Sequence, residues 1–183
     1  MSILKVARMG HPVLRTRARE LDRAELKHAS MQKLIDDMID TMHEYHGVGL
    51  AAPQIHEGVR IFVAAIKPDD EEPLPPDAEP MVFANPVITP IVSELFEDWE
   101  GCLSIPDLRG RVPRVRAVNV SALDRSGGKI ELTLHDFPAR VVQHETDHLD
   151  GVLFLDRMRN FGTLSYLDEY HRYWTKEEPA GSR

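Results

Sequence analysis

Two short motifs in this 183-residue chain carry side chains that together suit a metal ion. The only cysteine, Cys102, lies in Glu-Gly-Cys-Leu-Ser, and a His-Glu-x-x-His run extends from His144 to His148. In a helix, residues four apart project from the same face, so both imidazoles can contact one ion. A thiolate and two imidazoles are good ligands for zinc or ferrous iron, and three protein ligands leave a position open for water. The pattern therefore predicts a catalytic metal site.

Glu145 follows the first histidine of this run. From that position a carboxylate can reach a metal-bound water without binding the metal itself. It can take a proton during attack and return it to the leaving group. The residue types therefore favour metal-assisted hydrolysis.

Each motif also has a plainer interpretation. The two histidines can be hydrogen-bonded residues of a partly exposed helix, and a free cysteine is often a small buried apolar residue. A second histidine pair, His43 and His46, directly precedes Gly47 at the predicted end of a helix. There protonated histidines suit the helix dipole, and we expect a structural role.

Composition sets the class of protein. The length favours one domain over residues 1–183, and a hydrophobic content of 42% is sufficient for a core. A net charge of −8 argues against a general nucleic-acid binder and against attraction to anionic membranes. One cysteine excludes an internal disulfide, and no apolar run approaches the length of a membrane helix. We expect a soluble cytoplasmic protein.

Hydrophobic spacing and turn residues place strands in the middle of the chain and helices towards both ends. An amphipathic helix is predicted over 31–46, capped by Ser30 and ended by Gly47, followed by a loop over 47–54 that includes a short edge strand. The remaining predicted elements are strands at 59–66, 81–84, 87–92, 112–123 and 129–134, a hairpin turn at 126–128, and helices at 138–149 and 163–174.

The order of these elements indicates an α+β fold, with small antiparallel or mixed β-sheets around a central metal-binding helix and a C-terminal helix. Gly151 ends the metal-binding helix, and Pro138 is tolerated in its first turn. The segment 67–80 is acidic and rich in proline, which predicts a mobile surface loop. Residues 156–183 form the predicted helical tail.

With these residues identified, the chain resembles the peptide deformylase family. Three motifs stand in the family's order: Gly-Val-Gly-Leu-Ala-Ala-Pro-Gln at 47–54, Glu-Gly-Cys-Leu-Ser at 100–104, and Gln-His-Glu-Thr-Asp-His-Leu-Asp-Gly at 143–151. An early Gly-His-Pro-Val-Leu-Arg at 10–15 also matches the family's usual opening, and the likeness extends over about 3–155. Two departures are a threonine at position 146, where the family is usually hydrophobic, and the long insert at 67–80.

The resemblance implies a role for each matching residue. Cys102, His144 and His148 hold one divalent metal, expected to be Fe²⁺ in the cell and Zn²⁺, Ni²⁺ or Co²⁺ in some preparations. The roles implied for the other positions are acid/base catalysis by Glu145, polarisation of the formyl oxygen by the Gln54 side chain and the Leu103 N–H, support of the metal ligands by Glu100 and Asp147, and peptide binding by Arg109.

The implied reaction is removal of the formyl group from the N-terminal formyl-methionine of new polypeptides, by attack of a metal-bound hydroxide and release of formate. The substrate can add as a strand beside Val48, Gly49 and Leu50, since backbone pairing ignores side chains. Val48 and Val141 are candidates for the first side-chain pocket, although ordinary core packing would also explain them.

The expected partners are nascent peptides near the ribosome exit, without nucleic-acid specificity or membrane attachment, and the chain is expected to be a monomer or weak dimer. Two other functions stay open. A zinc endopeptidase shares the His-Glu-x-x-His run but usually takes its third ligand downstream. A catalytically inactive peptide-binding descendant commonly loses the acid/base, which is present here as Glu145.

Overall fold

A computed structural model describes residues 2–67 and 79–175 of the chain. Its α-helices are α1 (Arg23–Lys27), α2 (Ala29–Glu44), α3 (Asp136–Leu149), α4 (Phe154–Arg157) and α5 (Leu167–Tyr173). Its strands are β1 (Gly49–Ala51), β2 (Ile61–Ala64), β3 (Met81–Pro90), β4 (Leu95–Cys102), β5 (Ile105–Val115), β6 (Ala117–Leu123), β7 (Lys129–His135) and β8 (Ser165–Tyr166).

The strands form two antiparallel sheets. One has five strands in the order β1-β2-β3-β6-β7, and the other has three in the order β4-β5-β8. Within the described ranges, the one parallel contact is an isolated bridge between Arg19 and Val59. The α+β class is confirmed, with antiparallel sheets. Strand β1 is an outer strand of the larger sheet, so one of its edges has no strand beside it among the described residues.

Helix α3 lies at the centre of the fold. Ala139, Val142 and Leu149 pack into the core of the five-stranded sheet, together with Phe62 and Phe83. Burial of each large apolar side chain contributes roughly 1.5–3 kcal/mol, which fixes the rotation of the helix about its axis. Cys102, the ligand candidate from the smaller sheet, lies in a separate apolar cluster. Its seven buried members are Ala7, Leu14, Cys102, Ile105, Val112, Leu153 and Phe154.

Several local predictions are confirmed. Strands β6 and β7 form the predicted hairpin around Gly127, which adopts φ +82° in the turn. Gly151 follows the end of α3 with φ +75°, and Pro138 lies in the first turn of that helix. Helix α2 is present, but Ser30 does not cap it. The preceding His28 does so, because its Nδ1 accepts a hydrogen bond from the Ser30 backbone N–H at 3.3 Å.

Other predictions are wrong where tertiary contacts decide the outcome. The single strand predicted over 112–123 is two strands in different sheets, separated at Arg116. Strand β4 has no counterpart among the predicted elements, because its acidic residues are uncommon in strands. The helix predicted over 163–174 contains instead the short strand β8, which pairs with β5, and then α5.

Most of the acidic segment 67–80 and residues 176–183 of the tail lie outside the described residues. The predictions of a mobile loop and of a tail that is helical to its end therefore stay predictions. Among the helices of the described ranges, none is long and apolar enough to span a membrane.

Candidate active site

Three side chains from two elements converge on one buried point. Cys102 ends β4, while His144 and His148 come from successive turns of α3. Their ligand atoms all lie within 4.8 Å of one another, and Cys102 Sγ is 3.2 Å from His148 Nε2. Across residues 2–67 and 79–175, no other three residues of ligating type meet in this way. The structure therefore brings together the three candidate ligands named from the sequence.

The local backbone explains how the cysteine reaches the helix. Strands β4 and β5 pair from Leu95 onward, their register shifts between Glu100 and Cys102, and a tight turn then pairs Cys102 with Ile105. A register shift of this kind bends a strand and re-aims its side chains. The thiol at the end of β4 is thereby directed to the histidine face of α3.

The charges of the cysteine and the histidines are strongly coupled. Burial alone would raise the pKa of the Cys102 thiol, but the imidazoles of His148 and His144 hold that pKa well below its usual range. Burial would likewise lower the pKa of His144, yet the sulfur and the Glu100 carboxylate hold it well above its ordinary value. Once the imidazole proton is lost, a thiolate beside two neutral imidazoles is a donor set that fits a divalent metal of the zinc or ferrous type.

Glu100 orients the first histidine. Its Oε2 lies 2.8 Å from His144 Nδ1, which directs the opposite ring nitrogen, Nε2, to the shared point. Burial would raise the pKa of Glu100, but hydrogen bonds from His144 and Arg114 hold it well below the usual range. Arg114 donates to Oε1 at 2.9 Å and to Oε2 at 3.0 Å, and Arg140 donates to Oε1 at 2.8 Å.

The two arginines were not identified from the sequence. Arg114 also donates to Asp147, the other supporting residue named from the sequence, whose carboxylate contacts Arg157 at 2.6 Å. Two signals could have identified them. Arg114 continues the period-two alternation of buried residues along β5, and Arg140 precedes His144 by four residues on α3. Both signals place a charge on an inward face, where it requires a partner.

Glu145 lies under a glycine. A Cβ built on Gly49 would be 2.4 Å from Glu145 Oε1, so the carboxylate occupies the space that any larger residue would need. Burial raises the pKa of Glu145 to about 7. Its Oε2 is buried without a hydrogen-bond partner among the described residues. A carboxyl that titrates near neutral pH can both accept and return a proton.

Gln54 holds its side-chain amide in a fixed orientation. Its Oε1 accepts a hydrogen bond from the Ala51 N–H at 2.8 Å. This orientation directs Nε2 towards Cys102 Sγ at 3.5 Å and Ser104 Oγ at 3.3 Å. Only 2% of Gln54 is exposed. The amide is therefore a preorganised hydrogen-bond donor beside the candidate metal ligands.

These groups lie at the floor of a cleft of about 880 Å³. Val48, Gly49, Leu103, Arg109 and Val141, all named from the sequence, line it. The Arg109 guanidinium covers Gly101, since a Cβ at that glycine would lie 1.9 Å from Arg109 Nη1.

One candidate lies elsewhere. The Leu50 side chain is fully buried in the core beside α2, so only its backbone remains available to a peptide along β1. Of the second histidine pair, His46 borders the cleft and His43 is exposed, and neither joins the ligand group. The unusual Thr146 has a buried hydroxyl with no partner among the described residues and also stays outside that group.

Comparison with known proteins identifies the family. The family model described as polypeptide deformylase matches residues 3–163. The chain belongs to this family. It is 43% identical over 175 residues to peptide deformylase 2 of Nostoc sp., covering 95% of this chain and 96% of that protein. It is 41% identical over 169 residues to peptide deformylase 1 of Nitrosomonas europaea, covering 91% and 93%.

Solved structures give the same result. A class I type b peptide deformylase from Acinetobacter baumannii superposes with a TM-score of 0.78 at 40% identity, covering 86% of this chain and 100% of that one. The peptide deformylase from Thermotoga maritima gives 0.77 at 35% identity, with coverage of 87% and 100%. Membership of the family makes the chain an enzyme, a metal-dependent hydrolase that deformylates nascent peptides.

Proposed function

We propose that this cleft hydrolyses the N-formyl group of formyl-methionyl peptides with a divalent metal held by Cys102, His144 and His148. The observation that carries the proposal is the convergence of these ligand atoms within 4.8 Å, beside the Glu145 carboxylate and the Gln54 amide. In the reaction the formyl C–N bond breaks, a C–O bond to water forms, and formate and a free amine leave.

When bound, the metal supplies Lewis acidity and a water molecule of lowered pKa. The one sulfur and two nitrogen donors suit Fe²⁺, which we expect in the cell, and also Zn²⁺, Ni²⁺ or Co²⁺. The chain keeps the donor set rigid through the Glu100 carboxylate, which is itself held by Arg114 and Arg140. Asp147 holds the far side of the Arg114 guanidinium.

Glu145 moves the proton. Its buried carboxylate, with a pKa of about 7, takes a proton from the attacking water and then gives it to the departing nitrogen. A positioned acid/base of this kind typically contributes about 10²–10⁴-fold to the rate. Without that second transfer the leaving group would be an amide anion, which is a far poorer leaving group than a neutral amine.

Gln54 and Leu103 stabilise the developing charge. As the formyl carbon becomes tetrahedral, its oxygen gains negative charge, and the Gln54 Nε2–H and the Leu103 backbone N–H are suited to donate hydrogen bonds to that oxygen. The Gln54 amide is preorganised by its bond to Ala51. Loss of one such donor typically lowers the rate about 100–1000-fold.

The peptide binds along the free edge of β1. Backbone groups of residues 48–50 can pair with an extended substrate, and Gly49 lets that substrate approach closely. Val48 and Val141 border the space for the methionine side chain, and Arg109 holds the chain beyond it. Binding through the backbone suits an enzyme that acts on many sequences. In support, the Acinetobacter baumannii relative, which is 40% identical to this chain, has been solved with Met-Ala-Ser bound.

We place this reaction in the cytoplasm, near the ribosome exit where formylated N-termini emerge, and assign it to a single catalytic domain acting as a monomer or weak dimer. A thiolate ligand supports the reducing compartment, because an oxidised sulfur could not bind the metal. The net charge of −8 argues against specific binding to ribosomal RNA, because the RNA backbone is also negative.

The test uses Glu145→Ala and Cys102→Ser, with metal content measured alongside deformylation of a formyl-Met peptide after anaerobic purification. We expect Glu145→Ala to keep its metal and to lose at least ~100-fold in kcat, and Cys102→Ser to lose metal. Glu131→Ala, at an exposed position of β7, is the matched control and should behave as the unmodified protein.

An acetyl-blocked peptide tests the endopeptidase alternative. A deformylase releases formate from the formyl-Met peptide and leaves the acetyl-blocked peptide intact, whereas an endopeptidase cleaves the internal bonds of the blocked peptide. Normal turnover in Glu145→Ala would overturn the assigned mechanism. Cleavage of the blocked peptide would overturn the assigned substrate.

A further inference from the structure

The rim of the cleft has the opposite charge to the rest of the chain. The sequence carries a net charge of −8. Among the residues that border the cleft above its buried floor, however, three are cationic (Lys5, Arg8 and Arg109) and one is a carboxylate (Asp107). The buried acid Glu100 does not offset them, because Arg114 and Arg140 are bound to it. A small basic area thus surrounds the entrance to the site of an acidic protein.

Two of the cations, Lys5 and Arg8, belong to an N-terminal segment whose backbone is hydrogen-bonded to the site. The Ala7 N–H donates to the Gln54 carbonyl at 2.7 Å, and the Met9 N–H donates to the Ser104 carbonyl at 2.8 Å. These bonds fix the segment against the residues that flank the catalytic amide and the candidate thiolate. Ala7 is buried, while Lys5 and Arg8 on either side of it are exposed. Their backbone is therefore held in place where both residues line the cleft.

The three cations also remain available to a ligand. Over residues 2–67 and 79–175, neither Lys5, Arg8 nor Arg109 forms an ion pair, whereas most arginines elsewhere in these ranges do. Cations bordering a concave site raise the local concentration of anionic ligands. Their charges are therefore not neutralised by a carboxylate among the described residues.

We propose that this basic rim makes the enzyme prefer formyl-Met peptides with acidic side chains at the second to fourth positions. The inference rests on the proposed function, which places the formyl group and methionine at the cleft floor. An extended peptide advances about 3.3 Å per residue, so the next few residues cross the rim. Selection acts through attraction to the rim, and it therefore changes KM and leaves kcat nearly constant.

The experiment compares formyl-Met-Ala-Xaa-Ser peptides with an amidated C-terminus, where Xaa is Asp, Asn or Lys. The amide removes the terminal carboxylate, so the third side chain alone changes the charge. At low ionic strength we expect kcat/KM for Asp to exceed that for Lys about 5–10-fold, with Asn between them. In about 0.5 M salt the ratio should fall to roughly twofold or less, because screening shortens the reach of surface charges.

Lys5→Glu/Arg8→Glu should remove or reverse this preference while the Asn peptide is still hydrolysed at a similar rate. The matched control, Arg23→Glu/Lys27→Glu, makes the same change in net charge on α1, away from the cleft, and should keep the preference. An Asp/Lys ratio near one in the unmodified enzyme, or a ratio unaffected by salt, would overturn the proposal. So would equal loss of preference in both double variants, since net charge alone would then explain it.

Failure of the underlying function has a different outcome. If the unmodified enzyme does not hydrolyse the Asn peptide, the proposed reaction itself is wrong. If the cleft variant is poorly folded, the salt series on the unmodified enzyme still tests the proposal. An Asp/Lys ratio that falls with salt supports it, and a ratio near one or unaffected by salt overturns it.

Discussion

Gly49→Ala should inactivate the enzyme by displacing Glu145, although it adds only one methyl group. The added Cβ would lie 2.4 Å from Glu145 Oε1, 2.7 Å from Cδ and 2.8 Å from Cγ. Non-bonded heavy atoms need about 3.5 Å, so the carboxylate must move by about 1 Å. A displacement of that size at a catalytic group costs about 100-fold in rate. We expect kcat/KM on a formyl-Met peptide to fall by about that factor, with metal content unchanged.

The same contact predicts a stability effect that needs no substrate. Overpacking of a buried position costs about 1–3 kcal/mol in the free energy of unfolding. Gly49 is not in the left-handed region, so alanine itself suits its backbone. In a Glu145→Ala background the contacted atoms are absent. There the glycine substitution should be neutral or stabilise by up to about 1 kcal/mol, through a less flexible unfolded chain.

Chemical denaturation of the four proteins in this cycle, combined with the peptide assay, provides the test. Gly58→Ala is the matched control, because a Cβ at Gly58 meets no atom within 4 Å, and both its stability and its activity should be retained. Equal destabilisation by Gly49→Ala in both backgrounds would refute the reasoning, because the cost could not then come from the Glu145 side chain. Full activity in the single variant would refute it as well.

The remaining predictions concern the supports of the site. Arg114→Met should lower the free energy of unfolding by about 3–5 kcal/mol in chemical denaturation, because it removes the buried cation that two buried carboxylates share. The half-exposed Arg157→Met, which also removes a partner of Asp147, should lower it by less than about 1 kcal/mol. A similar decrease in the free energy of unfolding in both variants would contradict the role of burial. In chemical denaturation, Gly151→Ala should lower the free energy of unfolding by about 2–4 kcal/mol, since it forces alanine to φ +75° and places its Cβ 2.8 Å from the Arg15 backbone. At Gly10, also at positive φ, an added Cβ meets no atom within 4 Å, so Gly10→Ala should lower it by only about 1–2 kcal/mol. Removal of the metal with a chelator should abolish activity and lower the Tm, and both should return when Fe²⁺ or Zn²⁺ is restored without oxygen; an unchanged Tm would argue against binding at a buried site.

The sequence contained much of the chemistry because that chemistry is local. The spacing of His144 and His148 places both rings on one face of any helix that contains them, whatever the rest of the fold. The glycine that ends this helix and the hairpin turn around Gly127 are likewise properties of a few neighbouring residues. The residue types, together with the order of the three motifs, were sufficient to identify the family.

Sheet membership could not be read in the same way. The apolar run over 112–123 satisfies strand periodicity throughout, yet its two halves join different sheets on either side of Arg116. Strand β4 was missed because Glu97, Asp98 and Glu100 are poor strand formers, and pairing with β5 outweighs that preference. Leu50 lies in the candidate peptide-binding strand, but its side chain packs into the core beside α2.

What the sequence alone determined is the set of reactive groups and the spacing of those carried by one helix. The tertiary structure decided how groups distant in the chain meet. It brings the Cys102 sulfur to His148, places two unpredicted arginines around the Glu100 carboxylate, and docks the N-terminal segment beside Gln54. The physical reason is that a helix fixes its own faces through short-range geometry, whereas the approach of β4 to α3 depends on burial of the whole core between them.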